Sequence, residues 1–297
     1  MSKTRANRIW MLMAAAVVWS AGCGLEVEES TFEDQEVVGE EPNGEEPGSD
    51  ELGAGSGAGT MSGTWMQIHV ASNCVFGQEQ VSSAIYVVDI ETQGKALQEE
   101  RKLCSLQMSP VLGFEPIVSQ EILDSIVTPV IDTGMTTKLV EGGTYVSSTE
   151  IGLWGLDLDD PLRDSLPTDP DDPRVIDGDG DGNPGVSMDL DGSGCARYMS
   201  QRQIVTYFGT FEAPNDIRGG SATSTENEVY GASGAVCELA PPIEANDAHS
   251  FFRMVRIDGL GGSVDARNSD GEIGCPQVEP FAADIWEVRA PDNDLCD

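Results

Sequence analysis

The chain is short of positive charge. Its 297 residues include 52 Asp and Glu against 16 Lys and Arg and 2 His, a formal net charge of −36. Without clustered cations it has nothing with which to neutralise a phosphate backbone, which argues against nucleic acid as a partner. Past the N-terminus no apolar run reaches the roughly 18 residues that a membrane-spanning helix needs. Aromatic residues make up only 6%, which disfavours a sugar-stacking cleft. No C-x-x-C pair is present, so zinc and dithiol redox chemistry have little support. Nor does the chain contain G-x-S-x-G, H-E-x-x-H or G-x-x-x-x-G-K, the local frames of a nucleophile elbow, a zinc protease and a phosphate cradle. The two imidazoles belong to His69 and His249. His69 reads as a partly buried, hydrogen-bonded side chain on a strand and His249 as a solvated one. Carboxylates are too numerous to single out a glycosidase pair. No catalytic constellation emerges, and the chain is not read as an enzyme.

What is present points to strands. Gly at 34 and Pro at 16 favour a turn-rich, all-β body, an antiparallel barrel or sandwich. From Gly63 to Val70 the residues alternate, with Met66, Ile68 and Val70 on one face and Trp65, Gln67 and His69 on the other, as a strand requires. Further strands are expected over Ser83–Glu91, Leu103–Met108, Thr144–Leu153, Gly185–Leu190, Gln201–Glu212 and Ser250–Asp258. Within Ile117–Val127 the spacing of Ile122, Leu123, Ile126 and Val127 suits a short helix that Pro129 would end.

Ahead of this body, Lys3, Arg5 and Arg8 precede an apolar stretch from Ile9 to Trp19 and then Ser20-Ala21-Gly22-Cys23. A basic segment, a short apolar segment and a small-residue cleavage site make an export signal over residues 1–22. Its ending resembles the lipobox of bacterial lipoproteins, although Ser20 stands where that family usually has Leu. The resemblance implies that Cys23 is acylated as the first mature residue and anchors the chain in a lipid bilayer. Gly24, rather than Asp, then implies the outer membrane of a cell envelope. From Gly24 to Ser62 the chain carries 12 acidic residues and no basic one, with the run Gly53–Gly59 near its end. Too little apolar surface exists there to offset ordering, so residues 23–62 are expected to be an extended, disordered tether. With Cys23 assigned to lipid, Cys74, Cys104, Cys195, Cys237, Cys275 and Cys296 remain. An even number after an export signal reads as a disulfide framework. Proximity along the chain suggests the pairs Cys74–Cys104, Cys195–Cys237 and Cys275–Cys296.

Gly63-Thr64-Trp65, opening the first strand of the 63–297 body, resembles the G-x-W start of lipocalins and related calycin barrels. In that family an arginine on a late strand packs over the tryptophan and closes the barrel floor. Phe251-Phe252-Arg253-Met254-Val255-Arg256 offers two candidates, Arg253 and Arg256. Arg253 shares a face with Phe251, Val255 and Ile257, which makes a stacked guanidinium reasonable.

An acidic insertion over residues 157–191 holds 12 aspartates against Arg163 and Arg174. Its core, Asp177-Gly-Asp179-Gly-Asp181-Gly182-Asn183, places alternate carboxylates so that they can converge on one cation, with Gly182 allowing the turn. This resembles the first half of an EF-hand, dockerin or thrombospondin type 3 loop. The resemblance implies calcium held by the side chains of Asp177, Asp179 and Asp181 and the carbonyl of Asn183. Position twelve of the loop is Met188, so a true EF-hand is excluded; Asp189 is expected to close the shell and Asp191 to begin a second site. The string Asp265–Glu272 reads as an ordinary turn.

The leading expectation is a lipid-anchored, calcium-stabilised β domain that acts in binding or envelope structure. The alternatives are a lipocalin-like carrier of a small apolar ligand and a secreted hydrolase using His69 with an acidic partner.

Overall fold

The computed structural model describes residues 60–191, 193–238, 242–285 and 289–296. The signal segment, Cys23 and almost all of the acidic tether lie outside the described residues. Thr60–Ser62 belong to the folded body: Met61 is fully buried and its carbonyl accepts the indole N–H of Trp65 at 3.0 Å.

The body is all-β, as expected. β1 (Gly63–Val75), β2 (Gln78–Gln93) and β3 (Ala96–Met108) form a meander. The wall then continues through β5 (Gly134–Thr136), β6 (Thr144–Val146), β9 (Cys195–Ala213), β10 (Asp216–Ala232) and β12 (Phe251–Arg256). β12 pairs with β1, so eight antiparallel strands bond in a ring. An eight-stranded barrel is just wide enough to be filled by side chains or to hold one small ligand. Four short strands decorate it: β4 (Glu115–Ile117), β7 (Glu150–Trp154), β8 (Val186–Asp191) and β11 (Ile243–Ala245). β6, β7 and β8 follow one another along the same edge of the long β9.

The strand expected over Thr144–Leu153 is therefore two strands, β6 and β7. At the break the Ser147 hydroxyl accepts the backbone N–H of Tyr207 at 2.9 Å, in place of a ladder bond. The helix within Ile117–Val127 forms as α1 (Gln120–Ser125), with Ser119 accepting the Ile122 N–H at its start. It buries Ile122 against Trp154, Val186, Met188 and Met199.

Both faces of β1 are covered. Trp65 points inward with Tyr86, Val88, Tyr207, Phe211, Phe252 and Met254 to fill one half of the barrel. Met66, Ile68 and Val70 point outward, where α2 (Cys275–Ile285) lays Val278 and Ala282 over them.

The cysteines pair as Cys74–Cys296, Cys104–Cys275 and Cys195–Cys237. All six are bridged, but two of the three pairs expected from chain proximity are replaced. In a meander β2 separates β1 from β3, so the outer strands run about 10 Å apart, beyond the reach of a disulfide. Cys104 instead staples the start of α2 to the wall, and Cys74 fastens the C-terminal segment. That segment is clamped further by Glu79, buried at the base of β1 and β2, which accepts Arg289 and the Asp292 N–H at 2.6 Å.

The acidic insertion does not stand out in solvent. Leu156, Leu158 and Leu166 pack on Ile151, Leu153 and Ile204 of the outer wall. Arg202 donates to the carbonyls of Pro161 and Asp164 at 3.0 and 2.6 Å, pinning its first half.

Candidate functional site

Three of the sequence-derived residues form the closed end of the barrel. Arg256 is paired in register with Trp65, is 2% exposed and lies over the indole ring at 5.8 Å. Its guanidinium donates to the Thr60 carbonyl at 2.8 Å and to the Ser62 carbonyl, and it pairs with Asp258 at 2.8 Å. Burial opposes ionisation of Asp258, but the Arg256 hydrogen bond and the Leu260 N–H outweigh it, so its carboxyl titrates below the usual range. Gly63 is dictated by this contact: its φ is +137°, and a Cβ there would meet an Asp258 oxygen at 2.0 Å. Arg253, the other candidate, is not the closing residue. It faces outward and pairs with Asp216 at 2.6 Å, because Arg256 has the parity of Phe252 and Met254, the inward residues of β12.

Towards the other end the barrel is not filled. A cavity opens there, with about 120 Å³ available to the centres of water-sized molecules. At roughly 10–15 Å³ per water on this measure, that space suits a ligand of about eight to ten heavy atoms. Leu103, Leu106, Met108, Trp154, Met188 and Met199 form the apolar part of its wall, and about half of the lining side chains are polar, His69, Tyr86, Glu150, Arg197, Gln201 and Gln203 among them. Gly152 also lines it, and an added Cβ would make ordinary contacts with Trp154 at 3.6 Å and Ile126 at 3.8 Å.

Beside the cavity lies a buried polar network. Glu99 accepts the Tyr145 hydroxyl at 2.6 Å, the Ser148 N–H at 2.6 Å and the Ser148 hydroxyl at 3.0 Å. Arg101 pairs with Glu99 at 3.2 Å, donates to the Tyr145 oxygen at 2.8 Å and lies over the Tyr207 ring at 5.3 Å. Its contact with Glu150 is looser, at 3.8 Å, and one buried oxygen of Glu150 has no hydrogen-bond partner. Burial pushes the Glu150 carboxyl above the ordinary range, against the pull of Arg101 and the Tyr207 hydroxyl. The sequence reading did not single out Glu99, Arg101 or Glu150. Their only signal was charge at inward positions of strands, which is hard to see among 52 carboxylates.

His69 is 4% exposed. Its Nε2 lies 2.9 Å from the Ser221 hydroxyl and its Nδ1 3.4 Å from that of Tyr207. Burial lowers its pKa to about 4, so at neutral pH it is an uncharged ring. Ser221 is fully buried and is not part of the cavity wall. A substrate in the cavity has no access to it. His249 is exposed, in a 3₁₀ turn before β12.

In the insertion, Asp177, Asp179 and Asp181 offer carboxylate oxygens within 4.8 Å of one another. Asp177 accepts the N–H groups of Asp181 and Gly182, at 3.0 and 2.9 Å, and Asp181 accepts that of Asn183 at 2.8 Å. The loop is closed at its base by Gly185, bonded to Ile176 and Gly178. One Asp179 oxygen and the nearby Ser187 hydroxyl are buried without partners. Asp189 and Asp191 stand on β8, outside this cluster. The Asp265–Glu272 string is a turn organised by Asn268, whose side chain accepts the N–H groups of Asp270 and Glu272 at 2.9 Å each.

No family model matches this chain, and neither a curated protein nor a solved structure matches it.

Proposed function

We propose that the chain is an exported, lipid-anchored protein whose barrel carries a small, largely apolar ligand. The cavity carries this reading: a ring of strands closed at one end by Trp65 and Arg256 leaves a chamber with an apolar side and a polar side towards the other. Small-ligand sites commonly combine a concave apolar wall with sparse polar contacts, and the mouths of barrels are among their usual places. The closure also supports the calycin resemblance, since the G-x-W tryptophan and a late arginine meet in the way that family's pattern implies. The Cys23 anchor and the acidic tether rest on the sequence. Acyl chains on Cys23 would hold the body to a bilayer, and a self-repelling spacer would keep it off an anionic surface. Calorimetric titration of the full chain with 1-octanol tests the carrier reading. Saturable one-site binding that is lost in Gly152→Leu, which fills the chamber, is the expected result; if neither octanol nor its amine and carboxylate counterparts bind the native chain, the reading is sunk. Mass spectrometry of the mature N-terminus tests the anchor, and an unmodified Cys23 refutes it.

A second reading concerns the loop Asp177–Asn183, which we propose binds calcium. The observation favouring it is the partnerless Asp179 oxygen beside two further carboxylates. Carboxylates this close repel one another, and a divalent cation removes that cost.

A further inference from the structure

We infer that the cavity selects a small amphipathic amine, its ammonium head against Glu150 and its tail along the apolar wall. The inference rests on the carrier reading and names the ligand class for the same chamber. The polar network beside the chamber contains two carboxylates, Glu99 and Glu150, and one guanidinium, Arg101. Glu99 is fully provided for, with Arg101, Tyr145 and two donors from Ser148. Arg101 in turn spends its donors on Tyr145, Ser148 and Gln67. Glu150 is held more loosely: the oxygen that faces the Arg101 guanidinium, at 3.8 Å, is buried and takes part in no hydrogen bond. Of the two acids it is Glu150, not Glu99, that lines the cavity.

An unsatisfied buried carboxylate costs free energy unless it takes a proton or gains a cation. The groups around it cannot supply one. Tyr86 and Tyr207 are held neutral by burial, His69 is an uncharged ring at neutral pH, and Arg101 is committed. Arg197 also lines the cavity, but it lies on β9, where its Nε is tied to the Cys237 carbonyl at 3.0 Å, and it makes no ion pair with Glu150 among the described residues. A ligand ammonium supplies both the missing donors and the missing charge. A carboxylate ligand would add a further anion beside Glu150, and a neutral alcohol would bring no charge to it. The field of the whole chain acts in the same sense: a net charge of −36 concentrates cations and repels anions.

The test compares three probes of equal carbon number and suitable size, n-octylamine, 1-octanol and octanoate, by calorimetric titration of the full chain at pH 7.5. Octylamine is expected to bind at least tenfold more tightly than octanol, and octanoate more weakly than either. Glu150→Gln is expected to lower octylamine affinity at least tenfold, to no better than that of octanol. Equal affinity for the three probes, or a preference for octanoate, overturns the amine assignment while leaving a carrier in place. If no probe binds the native chain, the carrier reading falls and the assignment with it. The ranking of probes on the native chain needs no variant, so it decides the question even if Glu150→Gln fails to fold.

Discussion

Arg256 and Gly63 occupy the two sides of one contact. The guanidinium that lies over Trp65 also reaches the backbone of Thr60–Ser62, and Asp258, which orients it, takes the space where a Cβ on residue 63 would stand. Arg256→Lys keeps the charge but loses the planar fork that serves two carbonyls and Asp258 together. With about 1 kcal/mol per hydrogen bond and up to about 2 for a desolvated cation–π contact, the expected loss is about 2–4 kcal/mol. Gly63→Ala, forced to a positive φ against Asp258, should destabilise the same end. Urea denaturation followed by tryptophan fluorescence measures both. Wild-type stability in Arg256→Lys would show that the closed end does not depend on the fork.

That contact also shows how far the sequence was legible. The alternation over Gly63–Val70 and the pairing of an early G-x-W with a late arginine were readable because each leaves a local pattern. Parity chose between Arg253 and Arg256, and parity depends on the β1–β12 register, which only the fold fixes. β10 left little local signal. Its Arg218-Gly-Gly-Ser-Ala-Thr-Ser-Thr-Glu-Asn run lacks apolar alternation, and the strand is held by its long pairing with β9. Gly219 marks that pairing, since a Cβ there would fall 2.0 Å from the Phe208 carbonyl oxygen. α2 was hidden by Pro276 and Pro280, which read as helix breakers, whereas Val278 and Ala282, both buried, sit one turn apart. Of the buried trio, Glu99 and Arg101 share β3 and Glu150 lies on β7, so only the fold brings the second carboxylate to the other two groups.

The disulfides should be confirmed as a set by peptide mapping without reduction, in which Cys74 is found linked to Cys296 and Cys104 to Cys275. Their removal should have different local effects. Cys104→Ser with Cys275→Ser frees the start of α2, so amide exchange should rise over residues 275–285 and along the outer face of β1. Cys74→Ser with Cys296→Ser opens a closure of 222 residues and should cost about 2–5 kcal/mol globally. Recovery of Cys74–Cys104 peptides would contradict the meander order itself.

His69 sets an acid limit on stability. Its folded pKa of about 4 lies below the ordinary value of 6.5 because burial disfavours the charged ring. Between those two values the unfolded chain takes up a proton that the folded chain refuses. The stability present above pH 6.5 is therefore lost progressively as the pH falls towards 4, and the loss then levels off. A shift of this size corresponds to at most about 3 kcal/mol. His69→Gln should flatten the stability profile across that window, measured as urea midpoints at half-unit intervals. An unchanged slope in the variant would show that His69 does not set the acid sensitivity of that window; Glu79 acts below it. Its carboxyl is held near 2, first by the Arg289 hydrogen bond and against the effect of burial, so its contribution is present above the ordinary carboxylate range and fades only as the pH falls below it.

Calcium is the last expectation, and its sign follows from the charge balance of the loop. Asp177, Asp179 and Asp181 bring three carboxylates within 4.8 Å, and the hydrogen bonds they accept come from backbone N–H groups and the Asn183 amide. A cation that binds only the folded loop stabilises it by about 2.7 kcal/mol at a hundredfold excess over Kd, which for a domain of this size raises the Tm by about 5–10 °C. Scanning calorimetry should show that rise on adding calcium and its reversal by chelator, and Asp179→Asn should abolish it. Magnesium should do less, since it demands a near-ideal octahedron and gives up its water reluctantly. A Tm unmoved at millimolar calcium would mean that the loop is held by its own hydrogen bonds alone, with Gly185 closing the base.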